Sequence, residues 1–186
     1  MRSSLAKNAM ITLKELFAKL KKAMDADIET LTPTLMKRSA DTNVFIAAEG
    51  RSCMQQMVLS CSEGKVLLSI LPYASSKNAS VKSEAAVCLG HLIMRLKSKL
   101  SSFKGNDKLI VSAATLLGDA SQEVRNNARA AFRELFNAFN GKYANLCLVR
   151  ISSLFSLFVG IREDALEELL GKSLPNSLYE KVKKIQ

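Results

Sequence analysis

Residues 118–132 read GDASQEVRNNARAAF. Asp119 is followed five residues later by Val124, next to it Arg125, and then by Ala128 and Phe132. With Val124 as a reference, further apolar residues fall at Leu135, Phe136 and Phe139. That spacing is i, i+4, i+8, i+11, i+12, i+15, which lines one face of an α-helix. The same spacing starts at Val81 (Ala85, Leu89, Leu92, Ile93, Leu96), at Ile46 (Gly50, Met54, Met57, Val58, Cys61) and at Leu5 (Ala9, Leu13, Leu16, Phe17, Leu20). The four references are 41, 35 and 43 residues apart. The second member is always small, so a neighbouring helix has room to approach there. Five residues before three of the references stand Asp41, Ser76 and Asp119, which accept hydrogen bonds from free N–H groups near a helix start.

A further helix is expected before each later reference, over 28–37, 65–73 and 108–118. Paired helices with a period near 40 residues describe an α-solenoid, in which each unit buries its apolar face only against its neighbours. The fold class is therefore all-α, an α-solenoid of HEAT-like helix pairs. The repeat resembles HEAT in its acid or serine, its Val or Ile, and its small residue. Lys82 and Arg125 occupy the basic position of that repeat, and Ala6 and Ala47 depart from it. One domain over 1–186 is expected, with clear repeats over 1–140. Residues 141–186 read as an atypical C-terminal repeat or cap, broken at Gly160 and Gly171, with a basic end at Lys181, Lys183 and Lys184. The helix at Leu5 is already the second of a pair and lacks its partner, so a monomeric fragment of a larger multidomain protein is expected.

Composition narrows the function. The chain has 186 residues, 48% of them hydrophobic, which is too apolar for disorder. The formal net charge of +10 favours an anionic partner. No run of five basic residues forms a polybasic arm. Cys53, Cys61, Cys88 and Cys147 form no CxxC pair and sit in apolar helical stretches, as buried free thiols do. No apolar run approaches the roughly 20 residues that span a bilayer, so no membrane partner is expected. His91, the one histidine, lies beside the buried stripe and reads as a helix–helix contact. No phosphate-binding or metal-binding motif occurs, and Glu163, Asp164, Glu167 and Glu168 read as a solvated face. A non-enzymatic module without cofactor or metal is expected.

Repeat arrays work by surface, and their intra-repeat turns line up along one edge. In order, the turns carry Arg2, then Asn43, then Lys77 and Asn78 with Lys82 just beyond, then Arg125. This is a basic, hydrogen-bonding ridge. Phe45 stands where the other repeats have Ser80 and Glu123, and packing into the fold is its expected role.

The turns resemble those of TOG domains of the crescerin and CLASP branch. The resemblance covers residues 2–140. It is carried by the KKAMD stretch (21–25), by DTNVFI (41–46), by SSKNASVKSEAA (75–86) and by DASQEVRNNAR (119–129). It implies a paddle of HEAT repeats whose turns bind αβ-tubulin, with Arg2, Asn43, Lys77, Asn78, Lys82 and Arg125 as contact residues. It also implies a cytoskeletal setting in the cytoplasm or cilium. TOG domains commonly carry a tryptophan in the first turn. This chain has none, and its first repeat reads as absent. Two other readings stay open at this point, a HEAT-type protein-interaction scaffold and a nucleic-acid-binding HEAT-like array. Few aromatics are available to stack on bases, so no nucleic acid is expected.

Overall fold

In the computed structural model, which describes residues 3–138, the helices alternate as the periodicity requires. They are α1 (Ser3–Leu20), α2 (Ile28–Ser39), α3 (Val44–Ser60), α4 (Glu63–Ala74), α5 (Ala79–Leu96), α6 (Asn106–Leu117) and α7 (Gln122–Ala138). Among the described residues there is no strand. Three hairpins result, α2/α3, α4/α5 and α6/α7. Their second helices stack as α3 on α5 and α5 on α7, with α1 added on α3, and their first helices as α2 on α4 and α4 on α6. Two parallel layers that grow by one hairpin at a time make an all-α solenoid, as expected. The expected cap over 141–186 lies outside the described residues. α4 and α6 start two residues earlier than read from sequence, because Glu63 and Asp107 fill their first turns, where an acid suits the positive end of the helix dipole.

The core follows the repeat spacing in three of four units. Ile46, Gly50, Met54, Met57, Val58 and Cys61 are all buried. So are Ala85, Leu89, Leu92, Ile93 and Leu96, with Val81 half-buried, and so are Val124, Ala128 and Phe132, while the side chains of Leu135, Phe136 and Phe139 lie outside the described residues. The small second residue does what its size allows. A Cβ on Gly50 would lie 2.7 Å from the Ser39 backbone nitrogen and 2.9 Å from the Arg38 carbonyl carbon, so only glycine admits the end of α2 this close to α3. Ala128 is fully buried where α7 meets α5. Ala128→Leu is expected to overfill that contact and to cost about 1–3 kcal/mol. An unchanged thermal midpoint would contradict the register.

The first unit departs from expectation. Leu5, Leu16 and Leu20 are exposed, as is Ala9, while Met10 and Phe17 are buried and Leu13 is half-buried. The buried face of α1 is therefore rotated relative to the expected set. The cause is its packing. Among the described α-helices α1 packs mainly against α3, and one main neighbour covers only a narrow stripe of a helix.

The connections between hairpins are held by polar groups. Asp25 accepts the Ser62 N–H at 2.9 Å across the start of α4. Arg95 donates to the Val58 carbonyl at 2.6 Å and to the Cys61 carbonyl, and pairs with Glu63 at 3.2 Å. A cation thereby closes the free carbonyls at the end of α3. Cys53, Cys61 and Cys88 are buried free thiols, as read from sequence. Burial pushes the Cys53 and Cys61 thiols up to about 12 and about 11, and that of Cys88 higher still. Cys147 lies outside the described residues.

Candidate docking surface

All three hairpin turns share one hydrogen-bonding step built from their own sequence, and the first two add a second. In the first step a short acceptor folds back on the residue two further along. Asp41 accepts the Asn43 N–H at 3.0 Å, Ser76 accepts the Asn78 N–H at 3.2 Å, and Asp119 accepts the Ser121 N–H at 2.9 Å. In the second step asparagine caps the helix. Asn43 accepts from Phe45 at 3.1 Å and Ile46 at 3.4 Å, and Asn78 from Ser80 at 2.9 Å and Val81 at 3.4 Å. The sequence expectation placed helix-start hydrogen bonds on Asp41, Ser76 and Asp119. These residues shape the turn, and in the first two turns the cap itself is the asparagine two residues later. Both asparagines are exposed, with the carbonyl end of the side chain engaged in the cap.

The basic residues of the ridge are not equivalent. Lys82 forms an ion pair with Asp119 of the next hairpin, and the two side chains are only 19% and 11% exposed. Arg125 donates to the Asp119 carbonyl at 2.6 Å and the Ala120 carbonyl at 2.8 Å, and also to the Gln122 side chain. Both cations therefore lock the last turn. Burial pushes the Asp119 carboxyl up. The Lys82 ammonium, the Ser121 N–H and the charge of Arg125 outweigh that and hold it below the usual carboxylate range. Arg38 pairs with Asp41 at 3.1 Å in the first turn, and that carboxyl is likewise held low, by the Asn43 N–H first and Arg38 second. Lys77 is exposed and has no hydrogen bond or ion pair among the described residues. Arg2 lies outside the described residues.

The surface residue that sequence reasoning misjudged is Phe45. It was expected to pack, yet it is 75% exposed, beside Val44 at 73%. Both stand in the first turn of α3, before the buried stripe begins at Ile46. The available signal was that Ser80 and Glu123, at the same repeat position, are polar.

A second polar feature runs across the second helices. Lys7 pairs with Glu49 at 3.9 Å, Arg51 pairs with Glu84, and Asn127 donates to Ser83 at 2.8 Å, while the Ser83 hydroxyl donates to Glu123 at 3.0 Å. Between α3, α5 and α7, Arg51, Glu84, Glu123 and Asn127 line a depression of about 330 Å³ that also holds His91. The His91 Nδ1 is enclosed without a hydrogen-bond partner, and burial lowers the pKa of the ring. Among the described residues no group of three His, Cys, Asp or Glu side chains converges to hold a metal ion. Glu84 is the odd carboxyl here. Burial raises its pKa, Arg51 offsets part of that, and Glu123 adds to it. A carboxyl raised above its unfolded value of 4.5 contributes stability that is complete below 4.5 and is lost as pH rises through the folded value. Glu84→Gln lacks this dependence. The stability difference, wild type minus variant, is expected to fall as pH rises from 4.5, a trend that urea titrations at a series of pH values measure.

The family model described as CLASP N terminal covers residues 1–149. The chain belongs to the CLASP N-terminal family. It is 26% identical over 133 residues to TOG array regulator of axonemal microtubules protein 1 of Mus musculus, a match spanning 69% of this chain and 8% of that protein. It is 27% identical over 132 residues to Crescerin-like protein che-12 of Caenorhabditis elegans, spanning 68% of this chain and 10% of that one. The chain thus spans a tenth or less of the length of these curated relatives. As a member of the CLASP N-terminal family it is a TOG-like helical array, and both relatives agree with the TOG resemblance read from its turns.

Proposed function

We infer that this chain is a microtubule-associated module that binds αβ-tubulin through its edge of intra-repeat turns. The observation that carries the reading is the set of three hairpin turns with a common hydrogen-bonded build, in a chain of the CLASP N-terminal family whose relatives are named for TOG arrays and axonemal microtubules. Such a module acts by holding a partner, without chemistry of its own. Its setting would be the cytoskeleton, including the axoneme. The net charge of +10 suits an acidic protein and would speed encounter, so binding should weaken with salt.

The residues take different parts in this reading. Lys77 is the cation free to reach a partner. Asn43 and Asn78 hold the turns and present their amide ends. Lys82 and Arg125 fix the shape of the last turn, and Arg2 would extend the edge. Co-migration of the chain with αβ-tubulin on a sizing column tests the reading, with duplex DNA as the competing anion. Lys77→Glu is expected to weaken tubulin binding about three- to tenfold at low salt, with less effect at high salt and an unchanged circular dichroism spectrum. Preference for DNA, with a steep salt dependence, would replace tubulin by nucleic acid as the partner.

A further inference from the structure

The three turns differ in the two residues that precede the buried stripe. They are Val44–Phe45 in the first turn, Ala79–Ser80 in the second and Gln122–Glu123 in the third. At 73% and 75%, Val44 and Phe45 are the most exposed large apolar side chains among the described residues. The fold does not ask for them, since the other two hairpins close with small or polar residues at the same place. Their backbone is nevertheless held firmly. The Phe45 N–H donates to the Asn43 side chain at 3.1 Å, the Asn43 N–H donates to Asp41 at 3.0 Å, and Asp41 pairs with Arg38 at 3.1 Å. A large ring is thus displayed on a turn that is already ordered before any partner arrives.

We propose that Val44 and Phe45 form an apolar pin on the docking edge, which enters a hydrophobic pocket on the acidic protein partner while Lys77 of the next turn supplies the charge contact. This rests on the tubulin reading of the edge, and it adds what charge alone does not provide. Ionic contacts at an exposed rim act mainly on encounter and fade with salt. A buried aromatic anchor acts on residence and does not fade, and a few such side chains carry most of an interface's strength. Phe is economical in this role, because few rotatable bonds are frozen when it docks and its turn is ordered in advance. The net charge of +10 makes an acidic protein the fitting occupant, in preference to a second, equally basic copy of this chain.

The experiment is a tubulin-binding titration of the wild-type chain, Phe45→Ala, Phe45→Leu and Lys77→Glu at low and high salt, with melting curves for each. Phe45 is exposed, so Phe45→Ala is expected to melt like the wild type. It should bind on the order of thirtyfold more weakly at both salt concentrations. Phe45→Leu should recover part of that loss, and the Lys77→Glu defect should shrink with salt. Wild type that binds while Phe45→Ala binds equally well would overturn the pin and leave the tubulin reading standing. Wild type that fails to bind at either salt would overturn both. Concentration-dependent self-association that Phe45→Ala abolishes, with tubulin binding unaltered, would assign the pin to a second copy and overturn the proposal.

Discussion

Phe132→Ala is expected to destabilise the chain by about 3–5 kcal/mol, the range for removing a fully enclosed aromatic ring from a core. Phe132 is 2% exposed and stands two turns beyond Val124 on the face that α7 turns to the core. α7 packs most extensively on α5, so the lost ring would leave a void at the contact between the last two described hairpins. In a solenoid each unit draws its support from its neighbours alone, and a void at one junction is not shared across a common core. The effect is large against the roughly 5–15 kcal/mol that separates most folded domains from their unfolded chains. With a denaturant sensitivity of about 2 kcal/mol per molar urea, the midpoint should fall by roughly 2 M. Phe132→Leu keeps most of the apolar volume and should lose much less. Equal losses for the two variants would show that the ring does not fill the junction, and the helical face proposed for α7 would have to be redrawn.

Lys82→Glu is expected to be the most damaging substitution on the docking edge, at about 2–4 kcal/mol, somewhat below the cost of breaking a fully enclosed ion pair. The change removes the cation that joins α5 to the last turn and sets a second carboxylate against Asp119. The two side chains of the native pair are largely enclosed, so little water is available to screen the repulsion. The variant has a pH signature. The depressed Asp119 carboxyl contributes stability that is present above its unfolded value of 3.8 and is lost as pH falls through the folded value. Wild type should therefore lose stability in acid, while Lys82→Glu, which never had the pair, should lose less. Their urea midpoints should draw together as pH falls below 3.8. A constant gap would mean that the pair contributes through packing of the lysine stem and not through charge. Loss of tubulin binding in this variant would also be ambiguous, because the turn itself is weakened. Lys77→Glu and Phe45→Ala test the edge without that fault.

Much of the fold was legible because its cause is local. A helix face repeats every 3.6 residues, and this chain writes that repeat four times with a small residue at the same place. The paired helices, the turns between them and the tight approach at Gly50 all follow from residues close together in sequence. The candidate site was legible to a lesser degree. Its position at the turns could be read, and so could the short acceptors Asp41, Ser76 and Asp119. The roles of its side chains could not. Lys77 and Lys82 are both lysines near one turn, yet one is free and the other is tied to Asp119, 37 residues away. Arg125 could be read as tied to the repeat's own aspartates or as free for a partner. It binds the carbonyl of Asp119, while the carboxylate goes to Lys82.

The sequence by itself determined the all-α solenoid, the register of three of its four stripes and the edge along which the turns gather, because each depends on hydrogen bonding and periodicity within one hairpin. Only the tertiary structure decided which face of α1 is buried, which cation on the edge is free and where Phe45 points. Those outcomes depend on what a neighbouring hairpin brings within reach. α1 is covered mainly by α3 and buries a narrow stripe, Asp119 arrives beside Lys82 and neutralises it, and nothing among the described residues arrives to cover the ring of Phe45.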